Sequence, residues 1–148
     1  MARMALDLCC GLGGWADGLK AAGWHVVGID VVPQPSYPGK FIQRDIREVD
    51  GSTFEGFDLV VASPPCEEFS RHDMPWTRAK NPPPPDLSLV EACRRIAEEA
   101  KAPIVLENVR GAQKWLGRSD WKYGSCHLWG DGIPLIRPEK APAGNGKE

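Results

Sequence analysis

Short apolar runs alternate with amphipathic stretches along the chain. Met4–Cys9 is apolar apart from Asp7 and reads as a buried strand. Trp15–Ala22 carries a helical pattern, and Gly23 is placed to end it. Val26–Asp30 is a second buried strand, and Val31–Lys40, rich in proline, is a loop. Phe41–Gln43 reads as a short third strand and Leu59–Ala62 as a fourth, stopped by Pro64 and Pro65. Arg71–Asp86, with Pro82–Pro85 in one run, is expected to be a polar loop of polyproline character. Leu87–Lys101 is the clearest helix: Leu89, Val90, Cys93, Ile96 and Ala97 share one face. Ile104–Leu106 gives a fifth strand, Gly111–Gly117 a short helix and Tyr123–Trp129 a last strand.

Strands alternating with helices predict an α/β fold with a mostly parallel central sheet and helices on both faces. In such sheets ligands bind at the carboxyl ends of the strands, where the strand order switches. The loops after strands one, two, four and five are therefore expected to meet at one site. A single domain is expected over residues 1–137, with a flexible tail at 138–148.

Composition narrows the classes. The chain has 148 residues, 42% hydrophobic and 26% charged, which suits one globular domain. A formal net charge of −2 does not fit a protein that coats nucleic acid non-specifically. Five cysteines without a Cys-x-x-Cys pair argue against a disulfide framework and a structural zinc site, so no metal is expected. No apolar run approaches the roughly 20 residues that span a bilayer, so no membrane role is expected. Free thiols and the lack of an export signal predict a cytoplasmic protein.

Three loops carry candidate chemistry. The first strand runs into Cys10-Gly11-Leu12-Gly13-Gly14-Trp15, and the second ends in Asp30. Glycines allow close backbone approach to a ligand, and an acid at the second strand can accept hydrogen bonds from ribose. Taken alone, this pattern also fits a dinucleotide fingerprint and an NAD enzyme. The fourth strand delivers Ser63-Pro64-Pro65-Cys66, where two prolines stiffen the approach to a nucleophile. The fifth strand leads into Glu107-Asn108-Val109-Arg110, an acid able to donate or accept a proton beside an amide able to brace the loop.

Asp7-Leu-Cys-Cys-Gly-Leu-Gly-Gly14, Ser63-Pro-Pro-Cys66 and Glu107-Asn-Val109 resemble the ordered motifs of the cytosine carbon-5 DNA methyltransferases. Asp45-Ile46 resembles the element that touches the cofactor adenine, and Val27–Pro38 resembles short phage-encoded members. The resemblance implies a Rossmann-like methyltransferase fold, truncated relative to the family, and S-adenosyl-L-methionine as cofactor. It implies cofactor contacts from Asp7, Cys9, Gly11, Leu12, Gly13, Gly14, Trp15, Asp30, Val31, Asp45, Ile46, Ser63 and Pro65. It implies Cys66 as the nucleophile on carbon 6 of cytosine, Glu107 at the base edge and Asn108 holding the loop. Ser70, Arg71 and Arg78 are then candidates for substrate contact, and the host a bacterium or phage-infected cell. The expected substrate is DNA or a cytosine nucleotide.

The sequence departs from the family at four points. Cys9 stands where an aromatic usually packs on adenine, and Glu67 follows the nucleophile where glutamine is usual. The family's later Gln-x-Arg-x-Arg element has no match, which leaves Arg110 and Arg137 as candidates to supply an arginine to the base. No separate target-recognition region is expected after Asp120; the alternative reading is one half of a split enzyme, with a protein partner supplying recognition, or a relic that binds cofactor or nucleic acid without turnover. His25 and His127 read as structural.

Overall fold

The computed structural model describes residues 2–78 and 80–136, without the Arg78 side chain. The expected tail at 138–148, Arg137 and the Arg78 side chain lie outside the described residues.

Seven strands form one sheet: β1 (Met4–Leu8), β2 (His25–Asp30), β3 (Lys40–Gln43), β4 (Leu59–Ala62), β5 (Ile104–Asn108), β6 (Trp121–Tyr123) and β7 (Cys126–Trp129). Their order is β3-β2-β1-β4-β5-β7-β6. β1 pairs parallel with β2 and β4, β2 with β3, and β4 with β5. Only β7 runs against its neighbours β5 and β6. The chain moves outward from β1 to β3 and then returns to add β4 on the other side, so the strand order switches between β1 and β4.

The central strands are covered on both faces, which explains their near-continuous apolar runs. On one face, Leu6, Leu8, Val60, Ala62 and Leu106 pack against α4 (Ser88–Ala100) through Val90, Cys93, Ile96 and Ala97. On the other, Ala5, Val26, Leu59, Val61 and Val105 pack against Ala16 and Leu19 of α1 (Gly14–Ala21). Ile96 is fully buried; such a side chain contributes roughly 1.5–3 kcal/mol over leaving it exposed.

The structure corrects two local expectations. The segment after Cys66 is not loop from Arg71 onward: α2 (Glu67–Asp73) and α3 (Pro75–Arg78) precede the proline run. Buried Phe69 anchors α2 to the core, and the His72 ring, bonded to the Pro83 carbonyl at 2.8 Å, ties the proline run back to it. The expected last strand is a hairpin of β6 and β7 turned at Gly124, whose φ of +57° suits glycine. The remaining short helices are α5 (Gln113–Leu116) and α6 (Ile133–Ile136).

Candidate active site

The turn after β1 is built from left-handed residues: Cys9 at φ +53°, Gly11 at +50° and Gly13 at +97°. This bends the backbone over the sheet edge and into α1. Asp30, at the end of β2, holds the turn: Oδ2 accepts from the Gly11 N–H at 2.9 Å and Oδ1 from the Val32 N–H at 3.0 Å. A Cβ added at Gly11 or Gly14 would meet nothing within 4 Å, so the bare backbone faces open space. Beneath the turn, fully buried Asp7 accepts a 2.9 Å hydrogen bond from the Tyr37 hydroxyl.

Two cavities open at the switch in strand order, and Cys9 and Ser63 line both. The first, about 210 Å³, is also walled by Asp30, Val31, Asp45, Ile46, Pro65 and Leu89, with Arg44 and Arg47. The Asp45 carboxylate is engaged by the Arg47 guanidinium at 2.7 Å, which with the Arg47 N–H holds its pKa down at about 2. The second cavity, about 670 Å³, is walled by Gly11, Gly14 and Trp15 on one side and by Glu107, Trp121, Tyr123, Cys126 and Leu128 on the other. Trp15 Nε1 donates to Ser63 Oγ at 2.8 Å, linking the glycine turn to the loop after β4.

That loop is braced from β5. The Asn108 amide donates to the Pro64 carbonyl at 3.1 Å while its oxygen accepts from the Val109 N–H at 2.8 Å. Asn108 is 1% exposed, so both bonds are made away from water, where an unmet partner is costly. Cys66 follows as the N-cap of α2, with an exposed side chain; it lines neither cavity and stands one residue beyond Pro65 of the first.

Of the residues named from the sequence, Cys9, Gly11, Gly14, Trp15, Asp30, Val31, Asp45, Ile46, Ser63, Pro65 and Glu107 line one or both cavities. Asp7 lies under the turn, and Leu12 is 82% exposed at its tip. Gly13 shapes the turn and packs close to Pro38. Arg110 does not join Glu107: it lines a separate hollow with Ser70, and Arg71 is exposed. Sequence reasoning missed Tyr37, and it missed Trp121, Tyr123 and Cys126. The signal for Tyr37 was Gly28, which pairs with Asp7 and on which a Cβ would collide with the Tyr37 ring. The signal for the other three was Gly124 between two alternating segments.

Cys126 sits against Glu107. Burial raises the Cys126 thiol pKa, and the charge and hydrogen bond of Glu107 raise it further. Among the described residues no group of three or more His, Cys, Asp or Glu is arranged to hold a metal ion, and no helix is long and apolar enough to cross a membrane.

Comparison with known proteins bears on this site. The fold is that of a TehB-like S-adenosylmethionine-dependent methyltransferase from Corynebacterium glutamicum, with a TM-score of 0.51 at 18% identity over 74% of this chain and 56% of that one. The chain is 33% identical over 115 residues to the type II methyltransferase M.NgoMIV of Neisseria gonorrhoeae, covering 72% of this chain and 36% of that protein. It is 31% identical over 122 residues to the type II methylase M.HgiDII of Herpetosiphon aurantiacus, covering 74% and 33%. The chain thus spans about a third of the length of these curated relatives. Membership of the C-5 cytosine methylase family points to S-adenosyl-L-methionine as the cofactor, and the donor set fits it: a bare glycine backbone, a carboxylate at the end of β2 and an adjoining apolar cavity. The family model for C-5 cytosine-specific DNA methylases matches residues 4–119, and the chain belongs to that family.

Proposed function

We propose that this chain methylates carbon 5 of cytosine in DNA, with Cys66 as the nucleophile. The observation that carries this reading is the joining of the two cavities at Cys9 and Ser63, with Asn108 bracing the Pro-Pro-Cys loop from the strand that carries Glu107. The first cavity, with Asp30 and Asp45, suits the adenosine end of the cofactor. The second suits its methionine end and a planar base beside Glu107.

Carbon 5 of cytosine is a weak nucleophile. In the proposed reaction the Cys66 thiolate adds to carbon 6, which makes carbon 5 enamine-like. Glu107 protonates or hydrogen-bonds ring nitrogen 3 and so stabilises the adduct. Bound S-adenosylmethionine supplies an electrophilic methyl group. A base then takes the proton from carbon 5, and the electrons of that bond expel the thiolate from carbon 6. Reaching carbon 6 requires an unstacked base, so duplex DNA must release its target cytosine from the stack.

A second reading has its own support. The chain spans about a third of its relatives, and Arg110 faces away from the Glu107 cavity. It would then be the cofactor-binding and nucleophile-bearing part of an assembly completed by another protein. Transfer of labelled methyl from cofactor to duplex DNA, single-stranded DNA, RNA and deoxycytidine monophosphate tests both. Methylated DNA from the chain alone supports the first reading. Cofactor binding with no transfer to any of the four contradicts it.

A further inference from the structure

The β6–β7 hairpin carries different chemistry on its two faces. Trp121, Tyr123 and Cys126 line the cavity that holds Glu107. The alternate residues Lys122 and His127 line a hollow of about 470 Å³ on the opposite face. Arg110, just past β5, and Ser70 of α2 complete its walls, and Ser125 lies at the hairpin turn. The carboxylate in the hollow is Asp73, which packs on Gly111. His127 is largely buried and is held towards its neutral form by burial and by the charges of Lys122 and Arg110. Among the described lining residues two full cations therefore accompany one carboxylate, a local positive balance on a chain whose net charge is −2. This is unusual ground for a structural pocket and suits an anion.

The two hollows flank the hairpin turn: Tyr123 and Cys126 line one, and Gly124 and Ser125 between them line the other. β6 and β5 both run antiparallel to β7, so the turn at Gly124 lies at the same end of the sheet as Glu107. A Cβ on Gly124 would meet nothing within 4 Å, so the turn is open. A nucleotide carries a planar apolar base and an anionic phosphate, the same two chemistries that the hairpin divides.

We propose that the Arg110–Lys122 hollow binds a phosphate of the substrate while the base occupies the Glu107 cavity across the hairpin. The inference rests on the proposed cytosine chemistry for its base half only. The phosphate is either a backbone phosphodiester or the monophosphate of a free cytosine nucleotide. Arg110 and Lys122 supply charge-assisted hydrogen bonds to it, and Ser70 and Ser125 supply neutral ones.

Titration of the isotope-labelled chain with inorganic phosphate tests the hollow without any base. The expected result is shifted amide signals at Lys122, Ser125 and His127, with the apparent Kd at least fivefold weaker in Lys122→Gln and restored in Lys122→Arg. Two further arms separate the sources. A backbone phosphate predicts that Lys122→Gln lowers the logarithmic salt dependence of oligonucleotide binding by about one. A free nucleotide predicts that deoxycytidine monophosphate binds at least tenfold tighter than deoxycytidine, and that Lys122→Gln erases the gap. Shifts in the hollow with no methyl transfer to any cytosine substrate keep the phosphate site and overturn the catalytic reading. Methyl transfer with no shifts, and with every affinity unchanged in Lys122→Gln, overturns the phosphate site alone.

Discussion

The Tyr37 hydroxyl reaches across β2 to donate a 2.9 Å hydrogen bond to Asp7, a carboxyl with no exposed surface. Gly28, paired with Asp7 on the next strand, leaves room for the Tyr37 ring. Asp7 Oδ1 is buried without a hydrogen-bond partner among the described residues. Burial dominates and pushes the Asp7 pKa up to about 7; Tyr37 opposes the rise and the charge of Asp30 adds to it.

A pH dependence of stability follows. The folded carboxyl holds its proton to about pH 7, whereas the unfolded one releases it near 3.8. Between those values the folded state binds more protons, so this group's contribution is full below pH 4 and is lost as pH rises through 7. The difference is on the order of 4 kcal/mol. Asp7→Asn keeps an acceptor for Tyr37 and removes the titration. Urea midpoints at pH 5 and pH 8.5 should converge in this variant and differ in the parent. An unchanged gap would refute the assignment to Asp7.

Asp30 has two tasks, holding the Gly11 and Val32 N–H groups and facing the first cavity. Asp30→Ala should weaken S-adenosylmethionine binding by roughly 1–3 kcal/mol, about 5- to 150-fold in Kd, through lost charge-assisted hydrogen bonds. Calorimetry with the cofactor measures it. Unchanged affinity would remove Asp30 from the ribose.

Much of this was legible in the sequence, for identifiable reasons. β1, β2 and β4 read correctly because central parallel strands are buried on both faces and spell continuous apolar runs. The cavity-lining residues near the glycine turn were legible because short motifs fix their backbone. Tyr123–Trp129 read as one strand, and Trp121 and Lys122 were not read as strand at all, because both arms of the hairpin are only three or four residues long. α2 was hidden because Glu67-Glu68-Phe69-Ser70 has one apolar residue, Phe69, and its helix is secured by tertiary burial rather than pattern. Arg110 followed Glu107 closely in sequence, yet strand alternation and the turn after β5 sent the two into different hollows.

Asn108→Ala removes the brace between the Glu107 strand and the Cys66 loop. It leaves the Pro64 carbonyl and Val109 N–H without their partner and should cost about 1–3 kcal/mol of stability. Turnover should fall by at least tenfold while cofactor affinity holds, because Asp30, Gly11 and Ile46 stay in place. Denaturant melts beside steady-state kinetics check both halves; intact turnover would show that the loop needs no brace.

Cys126 is the competing thiol, since it lines the same cavity as Glu107. Its raised pKa keeps it protonated at neutral pH, and a thiol is a poor nucleophile beside a thiolate. Cys126→Ala should therefore retain methyl transfer within about threefold. Loss of transfer with unchanged folding and cofactor binding would make Cys126 a participant.

The central claim is the covalent step at Cys66, and trapping on 5-fluorocytosine tests it most directly. Fluorine at carbon 5 cannot leave as a proton does, so the adduct persists after methyl transfer. Incubation of the chain with 5-fluorocytosine DNA and S-adenosylmethionine, followed by peptide mass spectrometry, should place one methylated base on Cys66 and none on Cys9, Cys10 or Cys126. Cys66→Ala should form no adduct and bind cofactor as the parent does. A trap on another cysteine, or full methyl transfer by Cys66→Ala, would contradict the account.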